Sequence, residues 1–128
     1  MKEWESGRES QMLDAIIDGR KTVEGRLCRG KFAQYSAGDT IILRRDFRDE
    51  NGVLRDGNTN AARVKIIAIR RYKTFLEMVA AEGYTNVIPD AKSSTEAAGA
   101  YDRFYSVADQ ITFGVLAIEV RYLPNTSS

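Results

Sequence analysis

Four runs of alternating or β-branched residues constrain this chain most: Val23 to Leu27, Thr40 to Arg45, Ala62 to Arg71 and Val115 to Tyr122. In the third, Val64, Ile66 and Ala68 alternate with Arg63 and Lys65; in the fourth, Leu116, Ile118 and Val120 alternate with Ala117 and Glu119. That is the period of strands with one face in a core. The turn signals Ala37-Gly38-Asp39, Asn51-Gly52 and Asp56-Gly57-Asn58 punctuate them. Helix starts are predicted at Ser6-x-x-Glu9, Thr74-x-x-Glu77 and Ser93-x-x-Glu96, where a hydroxyl and a carboxylate satisfy opposite free backbone donors. Met12, Leu13, Ile16 and Ile17 give the first helix an apolar face that stops at Gly19. Phe75, Leu76, Val79 and Ala80 do the same for the second, which stops at Gly83. In the third, Ala97, Tyr101, Phe104 and Tyr105 read as core. The order helix, strands, helix, helix, strand makes no repeated βαβ unit. The chain is therefore predicted to be α+β, an antiparallel and partly closed barrel with helices at its ends.

With 128 residues, 43% of them apolar, one core is available, so a single domain over 1–128 is expected, with a polar end at 124–128. No apolar run approaches the roughly 20 residues of a membrane span, and Met1 to Glu5 lacks the apolar stretch of a signal peptide, which makes a cytoplasmic location the expectation. The chain has no histidine and one cysteine, Cys28, which reads as a small strand residue. This removes Ser-His-Asp and Cys-His catalysis and the commonest metal ligands together, so no cofactor and no metal are expected. Any catalysis runs on Lys, Glu, Asp, Thr, Ser or Tyr.

The net charge of +1 conceals a segregation: residues 19–73 hold 14 Lys and Arg against 6 Asp and Glu, and the remainder holds 5 against 12. Arg44, Arg45, Arg70 and Arg71 are the candidate contacts to an RNA backbone, with binding that falls steeply as salt rises. A fold that interleaves the two sets would cancel that field.

Lys21-Thr22-Val23-Glu24-Gly25-Arg26 places charge where a strand begins, facing a ligand or forming a solvated Glu24–Arg26 pair. Around it stand Gly19, then Gly38-Asp39-Thr40-Ile41-Ile42, Tyr72-x-x-Phe75, Glu82-Gly83, Tyr101-x-x-Phe104-Tyr105 and Gly114-Val115-x-Ala117-Ile118. In this order, over residues 12 to 121, the chain resembles the ASCH domain family. The resemblance implies a PUA-like, small, mostly antiparallel β-barrel with about three short flanking helices. It also implies a charged cleft between the first helix and first strand that binds single-stranded RNA or a modified nucleoside or nucleotide. The positions that match as ligand-binding are Gly19, Lys21, Thr22, Glu24, Arg26 and Glu82.

Lys21, just past a helix C-terminus, is favoured by the helix dipole and suits a phosphate or base carbonyl. Read as a surface cation, its removal leaves stability within about 0.5 kcal/mol. Arg26 offers a planar fork to the ligand, or pairs with Glu24 or Glu82. Some proteins of the family remove the acetyl group from N4-acetylcytidine with a lysine, a threonine and a glutamate. Lys21 and Glu82 stand at two of those positions and Glu24 replaces the threonine, so in an enzyme Lys21, Glu24 and Glu82 are catalytic and Glu24 activates water. Turnover is then absent or slow and raised by Glu24→Thr. The remaining readings are a single-strand-specific ribonuclease and a protein-interaction module in transcription or translation regulation.

Overall fold

The four predicted runs become strands of one six-stranded sheet in a computed structural model that describes residues 1–124. Apart from Pro124, the polar end expected over 124–128 lies outside the described residues. In chain order the elements are β1 (Glu3–Glu9), α1 (Ser10–Ile17), β2 (Val23–Leu27), a 3-10 turn (Gly30–Gln34), β3 (Thr40–Arg48), β4 (Leu54–Asp56), β5 (Ala62–Tyr72), α2 (Phe75–Glu82), α3 (Tyr84–Val87), α4 (Ser94–Asp102), α5 (Val107–Phe113) and β6 (Val115–Tyr122). Backbone pairing runs β1-β3-β5-β6-β2, with β4 added to β3. The β1–β3 pair is parallel and the other pairs are antiparallel. The class is α+β, with five helices among the described residues where three were expected. Strands β1 and β2, at the two ends of the path, share no ladder, so backbone hydrogen bonds do not close the sheet into a barrel.

The two faces of the sheet bury separate cores. Val23, Leu27, Val115 and Ala117 lie under α2, α3 and α4 with Phe75, Met78, Val87 and Tyr101. On the opposite face Ile41, Leu43, Val64, Ile66, Leu116, Ile118 and Val120 pack with Leu13 and Ile16 of α1 and with Tyr35. Strand β6 therefore has both faces covered, and Ala117, expected on a solvent face, is fully buried. A bulge in β5 between Ile66 and Ala68 reverses the alternation, so that Ile69 faces Ile118 while Arg70 faces Ala117 on the helical side.

The capping box expected at Ser6-x-x-Glu9 does not form. Ser6 lies within β1, paired to Leu43, and its hydroxyl accepts from Arg8 Nη1 at 2.7 Å instead of from a helix amide. The ladder to β3 wins over a local cap, and α1 begins at Ser10 with no side-chain cap. The other two boxes form, with Thr74 accepting from Glu77 N at 3.2 Å and Ser93 from Glu96 N at 3.1 Å. Ser106, whose hydroxyl accepts from Asp109 N at 3.1 Å, caps the unforeseen α5. Of the aromatics assigned to the core, Tyr101 stacks on Phe75 at 4.3 Å, but Phe104 is 78% exposed because α4 ends at Asp102 and the chain turns it outward.

Candidate functional site

Alternation along β2 sends Val23, Gly25 and Leu27 toward the helices and Glu24 and Arg26 to the opposite face, where they pair in register with Ile118 and Leu116. Gly25 is required by close approach, since a Cβ there would lie 2.8 Å from Met78 Cε and 2.9 Å from the Tyr101 hydroxyl. Just before β2, Gly19 takes φ +85° and turns the chain out of α1. The next residue but one, Lys21, is bound back to Ala15 O by its backbone N–H at 3.0 Å.

Lys21 is buried, at 3% exposure, and its Nζ donates to Val23 O at 2.9 Å and to Val87 O at 2.5 Å. This corrects the reading of Lys21 as a surface cation: its ammonium is part of the junction between β2 and α3. Burial pushes its pKa down to about 8, against the attraction of Glu24 and with the repulsion of Arg26 and Arg8.

Glu24, also 3% exposed, accepts from Arg8 Nε at 2.8 Å through Oε1 and faces Arg26 Nη1 at 3.3 Å through Oε2. Burial alone would raise its pKa, but the surrounding Arg8, Lys21 and Arg26 outweigh burial and hold the carboxyl well below the usual range. Arg26 is desolvated too, yet Glu24 keeps its guanidinium charged. Arg8 was not among the sequence-derived candidates, because the residues around it were read as a helix start. It reaches across from β1, so an ion pair bridges the two sheet ends that no backbone bond joins.

Two largely buried guanidiniums thus flank a single carboxylate, and the Lys21 ammonium, bound to two main-chain carbonyls, adds its field to theirs. The site opens at Arg26, whose side chain is 20% exposed and whose guanidinium lies 5.4 Å from the centre of the Phe32 ring. Beside it is a depression of about 320 Å³ lined by Leu27, Arg29, Gly30, Lys31, Phe32 and Tyr105. Desolvation and the field of Arg8, Arg26 and Arg44 lower the pKa of Lys31, which marks this mouth as positive.

The other expected residues lie elsewhere. Thr22 is half-buried, its N–H donating to Asn86 O at 3.0 Å and its carbonyl accepting from Val120 N at 2.9 Å. Glu82 is bound by Arg70 at 2.6 and 2.7 Å and by the Tyr72 hydroxyl at 2.5 Å. That places it with Arg70 and Glu119 on the helical side of the sheet, so Arg26 pairs with Glu24 and not with Glu82. Arg44 is engaged by Asp46 and Asp56, Arg45 by Ser10 and Asp14, and Arg71 by Phe113 O. Bridges from Arg45, Arg48, Arg63 and Arg70 to Asp14, Glu9, Glu3 and Glu82 stitch the basic segment to its acidic flanks, so the fold interleaves the two sets. Among the described residues no helix is long and apolar enough to cross a membrane, and no group of three or more His, Cys, Asp or Glu is placed to hold a metal.

Fold and site together define an α+β protein with a buried cationic site at the strand end beside its first helix. The family model for the ASCH domain matches residues 9–124, and the chain belongs to the ASCH domain family. It is similar to the crystal structure of hypothetical protein PH0355, at 35% identity over 94% of this chain and 99% of that one, with a TM-score of 0.78. It is also similar to the solution NMR structure of protein PF0455 from Pyrococcus furiosus, at 36% identity over 94% of this chain and 97% of that one, with a TM-score of 0.73. No match is found among curated proteins.

Proposed function

We propose that this chain, acting as one domain, is an RNA-binding or modified-nucleotide-binding module, and that its curled sheet is a PUA-like barrel held shut by side chains. The observation that carries the reading is the imbalance of Arg8, Lys21 and Arg26 around Glu24. Buried charge is costly unless compensated, so an excess of buried cations favours a ligand that brings negative charge or carbonyl oxygens. Arg26, Lys31 and Arg29 form the approach, lying over the rings of Phe32 and Tyr105. Because Arg44, Arg45 and Arg70 are already paired with carboxylates, few phosphates are neutralised. Fluorescence anisotropy with a labelled single-stranded RNA at about 50 and about 200 mM salt tests this. For one or two phosphates the slope of log affinity against log salt is roughly −0.7 to −1.4. Binding absent at low salt, or unchanged in Arg26→Gln, would overturn the reading.

One observation favours an amidohydrolase as the second reading: an amine with a pKa of about 8 is partly neutral near physiological pH and able to accept a proton. Against it, Glu24 is fixed between two guanidiniums, which makes it a poor base for water, and Glu82 is engaged by Arg70 and Tyr72. Wild-type protein is expected to release no cytidine from N4-acetylcytidine, and Glu24→Thr to unfold the site instead of raising turnover. Wild-type turnover that Lys21→Met abolishes would establish the enzyme.

A further inference from the structure

Most arginines of this chain face a carboxylate; among the described residues Arg29, Arg71, Arg103 and Arg121 do not. Two of these four flank a single residue. The Arg29 guanidinium lies 5.3 Å from the centre of the Phe113 ring and 6.0 Å from that of Tyr105, while Arg71 Nη2 donates to Phe113 O at 2.9 Å. Gly114 closes the corner between them. Its carbonyl accepts from Cys28 N at 2.9 Å, and a Cβ on it would lie 2.9 Å from Arg71 Nε. The end of β2 that leads to Arg29 and the end of β5 that carries Arg71 therefore meet at Phe113-Gly114, and both arginines are exposed there.

These cations are held in place and left with donors to spare. Arg29 makes no side-chain hydrogen bond among the described residues; the two rings hold it, so its five N–H groups remain available to an acceptor. Lys31 stands 5.5 Å from the centre of the Phe32 ring and gives one of its three donors to Glu5 O at 2.7 Å. Arg29 and Lys31 line the same open depression of about 320 Å³, and none of its lining residues is acidic. Arg71 lines a second, larger groove with Tyr72 and Lys73, where the one carboxylate, Glu77, accepts from Lys73 N at 3.2 Å. A guanidinium fixed before binding loses little freedom on meeting an anion, and its planar fork matches a phosphate.

We propose that these two points each take one phosphate of a single RNA strand, the first in the depression between Arg29 and Lys31 and the second at Arg71. The strand then passes over Phe113, and the ligand is an oligonucleotide, not a mononucleotide. This rests on the RNA-binding reading and deepens it, by naming the group bound at each point and the path between them.

Fluorescence anisotropy of the full chain with a labelled oligouridylate of about 12 nucleotides, over a range of salt, tests it, with uridine 5′-monophosphate and poly-L-glutamate as competitors. Two phosphates correspond to a slope of log affinity against log salt near −1.4, about −0.7 for each. Arg29→Gln and Arg71→Gln should each weaken binding about tenfold and bring the slope to about −0.7, with the melting temperature unchanged. Arg121→Gln, roughly 20 Å along β6 from Gly114, should leave affinity and slope at their wild-type values. The monophosphate fills one point only and should compete poorly. An unchanged slope in either Arg29→Gln or Arg71→Gln overturns the path and leaves the binding module standing, as does displacement by the monophosphate or by poly-L-glutamate as ready as by unlabelled RNA. A lower melting temperature with unchanged RNA affinity shows that the two arginines serve the fold alone, and overturns it too. Absence of RNA binding by wild type removes the RNA-binding reading itself and this inference with it.

Discussion

Lys21 holds its ammonium on two carbonyl oxygens inside the protein, and pH makes that arrangement measurable. Below about pH 8 the amine is charged in the folded and unfolded chain alike, and its desolvation is a constant cost. Between about 8 and the ordinary lysine value of 10.5 only the unfolded chain keeps the proton, so stability rises with pH, at most by about 1.4 kcal/mol per unit. As pH passes the ordinary tyrosine value of 10.0, the trend reverses, because burial keeps Tyr101 and Tyr35 protonated in the folded state after they ionise in the unfolded one. Urea unfolding across this range should show the rise in wild type and its loss in Lys21→Met; a flat wild-type profile would contradict it. Lys21→Ala, which strands Val23 O and Val87 O, should cost about 1–3 kcal/mol. Glu24→Gln, which leaves Arg8 without a counter-charge, should cost about 3–5 kcal/mol by the same measurement. Sequence identified Lys21, Glu24 and Arg26 because charges at a strand start stand out. It missed Arg8, whose relevance depends on a strand pairing that no spacing encodes.

Among the elements, β2 like β6 is covered on both faces, and Gly25 sets how closely Met78 of α2 and Tyr101 of α4 approach it. Gly25→Ala should destabilise by about 1–3 kcal/mol through overpacking against Met78 and Tyr101, read as a lower urea midpoint with an unchanged slope. Strands with clean alternation were legible: β2 and β6 have the bounds that the apolar pattern predicts. Strand β1, with Glu3, Glu5, Ser6 and Glu9 among its seven residues, has no apolar period and is a strand only because β3 pairs with it. Helix α5 was hidden for a related reason. Val107 and Ile111 are exposed, and its anchor is Gln110, a buried amide that accepts from Phe75 N at 2.9 Å and donates to Asp102 and to Tyr105 O.

At the scale of the molecule, ion pairs distribute the charge segregation of the chain over the surface, which is why +8 in one segment becomes a modest field. The Arg8–Glu24 pair has the further task of joining the two ends of the sheet path. Arg8→Met should therefore speed amide exchange in β1 and β2 selectively, while β5 and β6, paired along their length, keep their protection. Uniform acceleration across all strands would mean that the pair contributes only general stability. Helix order made α+β expected; composition made one core expected, whereas the sheet buries a separate core on each face, and an ion pair between the two ends of the sheet path is a property of three-dimensional proximity alone.

The pairing order has a consequence for synthesis. Strand β2 finds its ladder only in β6, with Val23 against Glu119 and Leu27 against Val115, so it leaves the ribosome long before its partner. Contacts so distant in sequence form late and slow a folding reaction. Until β6 arrives, the segment that carries Lys21, Glu24 and Arg26 has no backbone ladder to hold it. A nascent chain halted before Val115 should therefore carry these residues on a strand that has yet to be fixed in the sheet.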